Sequence, residues 1–337
     1  MELTIVGAGA IGGVTGAHLA RAGHRVTLVE RDREHLEAIR KDGLEVGGRA
    51  DLRVLLPALE PDEVRGPITV LMLAVKTLHT VEALTPLVPL VAPGGYVVSM
   101  QNGLEEPKIA ALVGRERTVG AFLTFGGHYD RPGRVIYSGP GTLRVGELDG
   151  RITPRVLELA RVLSDFHPAE PTVNLEGYLW GKLILGVIYF ATAMVDAEVL
   201  AIFEDAAARR LLSDLAAEAG EVADALGIRV ETFDGFDARA VGRYREAPAP
   251  AQASWDGQIA YWRRSIAGRT GVWRDLAIRR RRTEAGPILG ALLDAAVRAG
   301  RPTPRARALL RMTEEIEVGR RTIAWANLTE LDGVPAT

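Results

Sequence analysis

The sequence predicts an α/β protein in two parts, a doubly wound parallel sheet over residues 1–173 and an all-helical domain over 174–337. Three observations carry that expectation. The first 175 or so residues alternate short β-branched runs with helical stretches, the pattern that builds a parallel sheet flanked by helices. Beyond about Asn174 the strand signal fades, and alanine, leucine, arginine and glutamate take over at helical spacing. A length of 337 residues also exceeds what one hydrophobic core usually serves.

In chain order, strands are expected at Leu3–Val6, Arg25–Glu30, Ile68–Ala74 and Tyr96–Met100. Helices fit between them at Ile11–Ala22, Arg33–Asp42 and Val81–Val88, with turns at Ala22-Gly23-His24 and Pro93-Gly94-Gly95. Further strands are expected near Arg134–Tyr137 and Leu143–Val145. Pro168 and Pro171 interrupt a helical run ending near Asp165, which places the hinge at His167–Thr172. In the second half the clearest helices are Leu211–Ala225, Ile288–Ala299 and Arg305–Ile323, with Gly227, Gly286-Pro287, Pro302 and Pro304 as breakers. Ala247-Pro248-Ala249-Pro250-Ala251 reads as an exposed link between helices.

Composition excludes several function classes. A 47% hydrophobic and 25% charged content is that of an ordinary globular chain, and a net charge of −2 gives no reason to expect a nucleic acid or membrane partner. Four consecutive arginines, Arg279 to Arg282, would wrap around most of a helical turn and so could not address one groove. The absence of cysteine excludes disulfides and thiolate nucleophiles, and no histidine–carboxylate pair has metal spacing, so no metal is expected. No stretch approaches the roughly 18 uninterrupted apolar residues of a membrane span, and the apolar run Leu3–Val6 enters glycines too soon for a signal peptide. The cytoplasm is the expected compartment. Trp255, Trp262 and Trp273 lie close in sequence and read as core.

The strongest chemical signal is the loop Gly7-Ala8-Gly9-Ala10-Ile11-Gly12. Such glycines recur by chance, but here a β-prone run, Leu3-Thr4-Ile5-Val6, leads into Gly7, and a helix with Ala10, Ile11, Val14, Ala17 and Leu19 follows. The first glycine permits a tight turn, the second lets backbone approach a pyrophosphate, and the third lets helix pack on strand. The helix N-terminus then offers free N–H groups to the phosphates of a dinucleotide. The second strand ends at Val29-Glu30-Arg31, 18 residues after Gly12, where the adenosine ribose should lie. Glu30 could bind both ribose hydroxyls and favour NAD(H). Arg31 could hold a 2′-phosphate and favour NADP(H), or the two could form a plain ion pair; the sequence leaves the choice open.

Hydride transfer to a carbonyl needs a proton donor beside the oxygen. None of the six histidines has a partner carboxylate in an obvious motif, and His128 and His167 fall in expected loops. Lysine is rare beside arginine here. Lys182, in Tyr178-Leu179-Trp180-Gly181-Lys182-Leu183, opens an almost uninterrupted apolar helix that runs to Ala193, where a charge must snorkel to water or serve a site.

These features together resemble the ketopantoate reductase (2-dehydropantoate 2-reductase) family over nearly the whole chain. The likeness rests on Gly7–Gly13, Ala74-Val75-Lys76, Gln101-Asn102-Gly103, Trp180-Gly181-Lys182-Leu183, Trp273-Arg274-Asp275-Leu276 and Arg282-Thr283-Glu284, in family order. It implies a Rossmann domain joined to a helical domain like that of 6-phosphogluconate dehydrogenase. It also implies reduction of a 2-oxo acid or related ketone with NADP(H) or NAD(H), and leaves a homodimer open. By the same resemblance, Lys182 is the proton donor, Lys76 and Asn102 contact the cofactor, and Asn102 also reaches substrate. Gly126, in Phe125-Gly126-Gly127, lines the cofactor, and Glu284 closes on it and helps hold the lysine.

The chain departs from that family where substrate should bind. Asparagines four and eight residues after the family's lysine are replaced by Gly186 and Phe190, and a serine twelve residues before its glutamate by Val272. One extra residue falls between Asp275 and Glu284. The expected pocket is therefore more apolar, with Tyr189, Phe190, Val272 and Trp273 as walls and a small-molecule substrate other than ketopantoate. Imine, opine and hydroxy-acid dehydrogenases share the two-domain plan, and a dinucleotide sensor without turnover is the remaining alternative.

Overall fold

A computed structural model of the protein describes residues 1–266 and 268–335. The chain divides into two compact units, Met1–Leu175 and Glu176–Thr337. The first holds twelve strands among its described residues: β1 Glu2–Val6, β2 Arg25–Val29, β3 Leu44–Gly48, β4 Leu52–Val54, β5 Ala58–Leu59, β6 Ile68–Leu73, β7 Val91–Ser99, β8 Thr118–Leu123, β9 Gly126–Arg131, β10 Arg134–Gly139, β11 Leu143–Glu147 and β12 Ala169–Pro171. Its helices are α1 Ala10–Arg21, α2 Arg33–Asp42, α3 Thr80–Leu84, α4 Glu106–Val113 and α5 Pro154–Leu163.

Eight strands form the main sheet in the order β12-β11-β8-β7-β6-β1-β2-β5. The strands from β5 to β8 run parallel, and β11 turns back antiparallel on β8 with β12 parallel to it. Helices cover both faces, so adjacent strand residues feed opposite cores. Ile5, Val70 and Met72 pack with Val14, Ala17 and Leu19 of α1, whereas Val6, Leu71 and Leu73 pack with Leu84 and Ile109. This is a doubly wound parallel sheet of Rossmann type, as the sequence predicts.

Several expectations are corrected. A second sheet, β4-β3-β10-β9, lies against α1 and was only half anticipated. His128 sits in its β9, not in a loop. The turn expected at Pro93-Gly94-Gly95 is an irregularity inside β7, which faces Val91 to Ile68 but Tyr96 to Val70. The stretch His167–Thr172 contains β12, which pairs with β11 through Ala169–Pro171. The helix expected at Val81–Val88 is α-helical only to Leu84, then tightens to a 3-10 turn over Thr85–Leu90 that carries Pro86 and Pro89.

The second unit is helical: α6 Leu175–Ala193, α7 Val199–Glu204, α8 Ala206–Ala225, α9 Ala238–Gly242, α10 Pro248–Arg264, α11 Gly271–Ala277, α12 Ala285–Ala299, α13 Pro304–Glu317 and α14 Ala326–Asp332. Asp205 caps α8 by accepting the Ala208 N–H at 2.7 Å. The segment expected as an exposed link is instead the first turn of α10, where prolines cost nothing because those N–H groups have no helical partner. Gly286-Pro287 likewise opens α12 rather than breaking a helix. α13 stops at Glu317, short of the expected Ile323, and Gly319 follows with φ +72°. Arg279–Arg282 is not helical, and Arg280 adopts φ +46°. Among the described residues no helix is long and apolar enough to cross a membrane.

The approach of α1 to the sheet depends on Gly12. A Cβ there would stand 2.0 Å from the Gly7 carbonyl oxygen and 3.0 Å from both Ile5 Cγ2 and Ala74 Cβ. Gly12→Ala should therefore destabilise the chain by about 3 kcal/mol, as core overpacking does. Urea unfolding checks this; an unchanged midpoint would mean that helix and strand are not in this contact.

Candidate functional site

In the first unit the parallel strands end at one edge, and the chain passes from β1 outward to β2 but returns to β6 on the other side. Strand order thus reverses between β1 and β6, the crevice where open α/β sheets bind ligands. Gly7 fills the crossing with φ +95°, and a Cβ on it would meet Ala74 C and Val75 N at 3.0 Å. Gly9 caps α1 and has open space around it, with nothing within 4 Å of an added Cβ. The first helical bond runs from Gly13 N–H to the Gly9 carbonyl at 2.7 Å, so the N–H groups of Ala10, Ile11 and Gly12 precede it at the helix end. No acidic side chain lies in that turn. Vacant room over N–H donors is what a dinucleotide pyrophosphate needs, and the loop fits one.

Ala8 is fixed at both ends. Its N–H donates to Glu30 Oε2 at 2.8 Å, and its carbonyl accepts from His35 Nε2 at 2.9 Å. The Gly133 N–H donates to His35 Nδ1 at 2.9 Å, so Nδ1 is the acceptor and the ring carries its hydrogen on Nε2. His35 is 1% exposed. The one sign of it in the sequence is a histidine beside Leu36 and Ile39, the other residues of α2 that become buried. Glu30 Oε1 also accepts from the N–H groups of Arg31 and Asp32, at 2.8 and 2.9 Å. The Arg31 guanidinium turns to Glu82, at 3.2 and 3.3 Å, and to His79 Nε2 at 3.0 Å.

Lys76 and Asn102 follow β6 and β7 on the same edge, Lys76 half-buried and Asn102 exposed. A buried clamp joins their strand ends. Gln101 Nε2 donates to the Val75 carbonyl at 3.0 Å and to Thr80 Oγ1 at 2.9 Å, and the Thr80 hydroxyl donates to Glu105 Oε2 at 2.6 Å. Lys108 closes the chain at 2.7 Å on Glu105 Oε1. Gly103 then turns away with φ +76°. Gly126 opens β9 just past the end of β8, with Ser138 Cβ 3.2 Å from where its own Cβ would be. The loop, Glu30, Lys76, Asn102 and Gly126 thus all lie where parallel strands end. Sequence gives no sign of Thr80 and Glu105, because the bonds that join them to each other and to Gln101 link residues close only in space.

In the second unit α6 is buried from Gly177 to Ala193 except at Tyr178, Lys182, Gly186 and Tyr189, which are half-buried. Spacings of 4, 4 and 3 put these on one stripe. Gly181 lets the helix pack closely, since a Cβ there would be 2.8 Å from the Glu231 carbonyl oxygen and 3.0 Å from Phe233. The Tyr189 hydroxyl donates to Gln258 Oε1 at 3.1 Å and accepts from Trp262 Nε1 at 3.0 Å. Burial pushes its pKa up, so it stays neutral. Of the expected pocket walls, Phe190 is packed in the core at 2% exposure, while Val272 and Trp273 are half-buried on α11. Arg269 lies over the Trp273 ring at 3.9 Å.

Glu284 sits at the N-cap of α12, in a segment held at both sides. Buried Asp275 binds Arg279 at 3.0 Å and Arg281 at 2.9 Å. Glu317 Oε1 accepts from the Thr283 N–H and hydroxyl, at 2.8 and 2.6 Å. Glu317 had no sequence signal of its own.

A model for ketopantoate reductase PanE/ApbA matches residues 3–150, and its C-terminal counterpart matches residues 174–317. The chain belongs to the ketopantoate reductase family. That family carries out NADPH-dependent ketone reduction. A 2-dehydropantoate 2-reductase of Archaeoglobus fulgidus is 33% identical over 187 residues, which cover 55% of this chain and 60% of that protein. One from Mesorhizobium japonicum is 26% identical, covering 95% and 99%. The crystal structure of a PanE/ApbA family ketopantoate reductase from Ralstonia eutropha JMP134 superposes with TM-score 0.79 and 26% identity, covering 95% of this chain and 99% of that one. D-mandelate dehydrogenase with NADH and anilino(oxo)acetate shares the fold, with TM-score 0.81, 20% identity and the same coverage.

The open space at Gly9 is the part of this site that a methyl group tests. Gly9→Ala should leave urea unfolding unchanged yet weaken NADH and NADPH binding about tenfold or more, since backbone can no longer approach the pyrophosphate. Titration of protein fluorescence reads it, and unchanged affinity would remove the loop from the phosphate site.

Proposed function

We propose that this protein reduces a 2-oxo acid or related ketone to the alcohol, with Lys182 as proton donor. The observation that carries this reading is the stripe on α6. Between Gly177 and Ala193, Lys182 is a half-buried cation on the one line of α6 that is not buried, and by the resemblance it matches the family's proton donor. A bound nicotinamide dinucleotide supplies the hydride to the carbonyl carbon. The Lys182 ammonium stabilises the charge growing on the oxygen and gives it a proton from Nζ, then regains one from water. Asn102 orients cofactor and substrate, and Lys76 and Gly126 line the cofactor. Glu284 helps hold the lysine, and its segment is fixed for that task by Thr283, Glu317 and Asp275.

The substrate on this reading is bulkier and more apolar than ketopantoate. Gly186 follows Lys182 by one helical turn, with nothing within 4 Å of an added Cβ, and leaves room where a polar side chain would otherwise stand. Tyr189 cannot replace the lost donor, because its hydroxyl is already bonded on both sides. Val272 offers no hydrogen bond and Trp273 adds apolar surface, whereas Phe190, packed in the core, stands behind the site and not on its wall. A site lacking polar partners gains little from a substrate hydroxyl and most from apolar contact.

Lys182→Ala should lower turnover by about 10²–10⁴ while NAD(P)H still binds. Unchanged turnover would remove Lys182 from the chemistry, and binding without any turnover in the native protein would make it a sensor. Steady-state kinetics against aliphatic, aromatic and hydroxylated 2-oxo acids tests the pocket: kcat/KM should rise with apolar bulk. Ketopantoate as clearly the best substrate would overturn it.

A further inference from the structure

The residues that follow β2 bear on which dinucleotide the loop takes. We infer that Glu30 selects NAD(H) over NADP(H), against the NADPH dependence of the family, and that Arg31 does not serve as a 2′-phosphate clamp. The inference rests on the dinucleotide reading of the loop and makes it specific.

Glu30 is set by backbone alone. Ala8, Arg31 and Asp32 each give it an N–H, which fixes the carboxylate between the phosphate loop and the end of β2. That is where an adenosine ribose lies in this fold. A carboxylate has about four lone-pair sites, so oxygens holding three N–H groups can still accept a ribose hydroxyl. A 2′-phosphate carries about −1.5 to −2 charge and would face that fixed negative charge at close range.

Neighbouring groups do not compensate. The Arg31 guanidinium is bound to Glu82 and to His79, and His79 Nδ1 in turn lies 3.2 Å from Glu82, closing a three-membered set. Arg33 pairs with Glu60 at 3.4 Å. The N-terminus of α2, which could otherwise take a phosphate, is filled by Asp32, whose Oδ1 accepts from Glu34 and His35 N–H at 3.1 and 3.3 Å. Glu34 adds another carboxylate in the first turn. A 2′-phosphate would therefore approach three acidic side chains, Glu30, Asp32 and Glu34, with both nearby arginines engaged. Two charges a few ångströms apart near a protein surface are worth a discrimination of about 100-fold.

The test measures binding to the intact protein without a keto acid, by fluorescence titration with NADH and NADPH. NADH should bind about 100-fold tighter. Glu30→Gln, which keeps an acceptor oxygen but removes the charge, should narrow the ratio at least tenfold. Glu82→Gln, at a side chain 68% exposed and so harmless to folding, should release Arg31 and strengthen NADPH binding alone. NADPH binding as tight as NADH in the native protein, or a ratio unmoved by both variants, overturns the inference while leaving the dinucleotide site intact. Binding of neither nucleotide would overturn the dinucleotide reading itself, and the inference with it.

Discussion

The peptide of Ala8 is the point on which the first unit converges. Three separate pieces of chain meet there: the end of β2 through Glu30, the buried face of α2 through His35, and the β9–β10 turn through Gly133. A loop of glycines has no side chains to hold its own shape and loses more conformational freedom than any other sequence when ordered. Bonds to Ala8 from outside supply the rigidity that the loop lacks. The second sheet has a reason in this light, since its hairpin carries the N–H that fixes the His35 ring, and the ring fixes the loop carbonyl. A phosphate site made of backbone donors works only when those donors are already aimed.

The helical unit solves a different problem, which is keeping a cation on an apolar helix. α6 buries nearly every residue, and the cost of a charge there is met by leaving one stripe open rather than by abandoning the helix. The segment that bears Glu284 has no regular structure to place it. Asp275 and Glu317, each bonded to more than one donor, take over that role. Arginines that look like a binding patch are thereby divided: Arg279 and Arg281 hold their own chain through Asp275, and the left-handed Arg280 marks where the segment bends. A bonded arginine is structure first.

Legibility in the sequence followed how local each cause was. The β1 run into Gly7 and the helix after it were plain, because a strand, a turn and a helix each leave a short periodic mark. Lys182 was plain because a lone charge stands out in an apolar helix. β8 was missed although it is wholly buried, because Gly120 lies at its centre; that glycine makes room for Leu175, whose Cδ2 would be 2.4 Å from an added Cβ. β9, with the sequence Gly-Gly-His-Tyr-Asp-Arg, has no β-branched residue and forms only because β10 pairs with it. Pro248 and Pro250 read as a link, since proline marks a loop and a helix start equally well until the following residues are placed. The bonds of Thr80 to Glu105, of Gln101 to Thr80 and of Thr283 to Glu317 join residues 21 or more apart in sequence, and no local pattern records such a bond.

On the readings proposed above, recognition of cofactor and of substrate draws on opposite physics in this chain. At the β2 edge the groups are charged and hydrated, and choice there comes from repulsion: an unwanted phosphate is excluded by a carboxylate that backbone holds in place. On α6 and α11 the proposed site presents Gly186 and Val272 in place of polar groups, and an apolar wall rejects a polar substrate only weakly. One missing hydrogen bond to a substrate hydroxyl costs the wrong ligand little, whereas a partner left unpaired in a polar site costs it much. The first kind of choice is sharp and depends on salt; the second is broad and depends on shape. On the proposed readings, a rigid Glu30 and open space at Gly186 would make the chain strict about its reductant and tolerant of what it reduces.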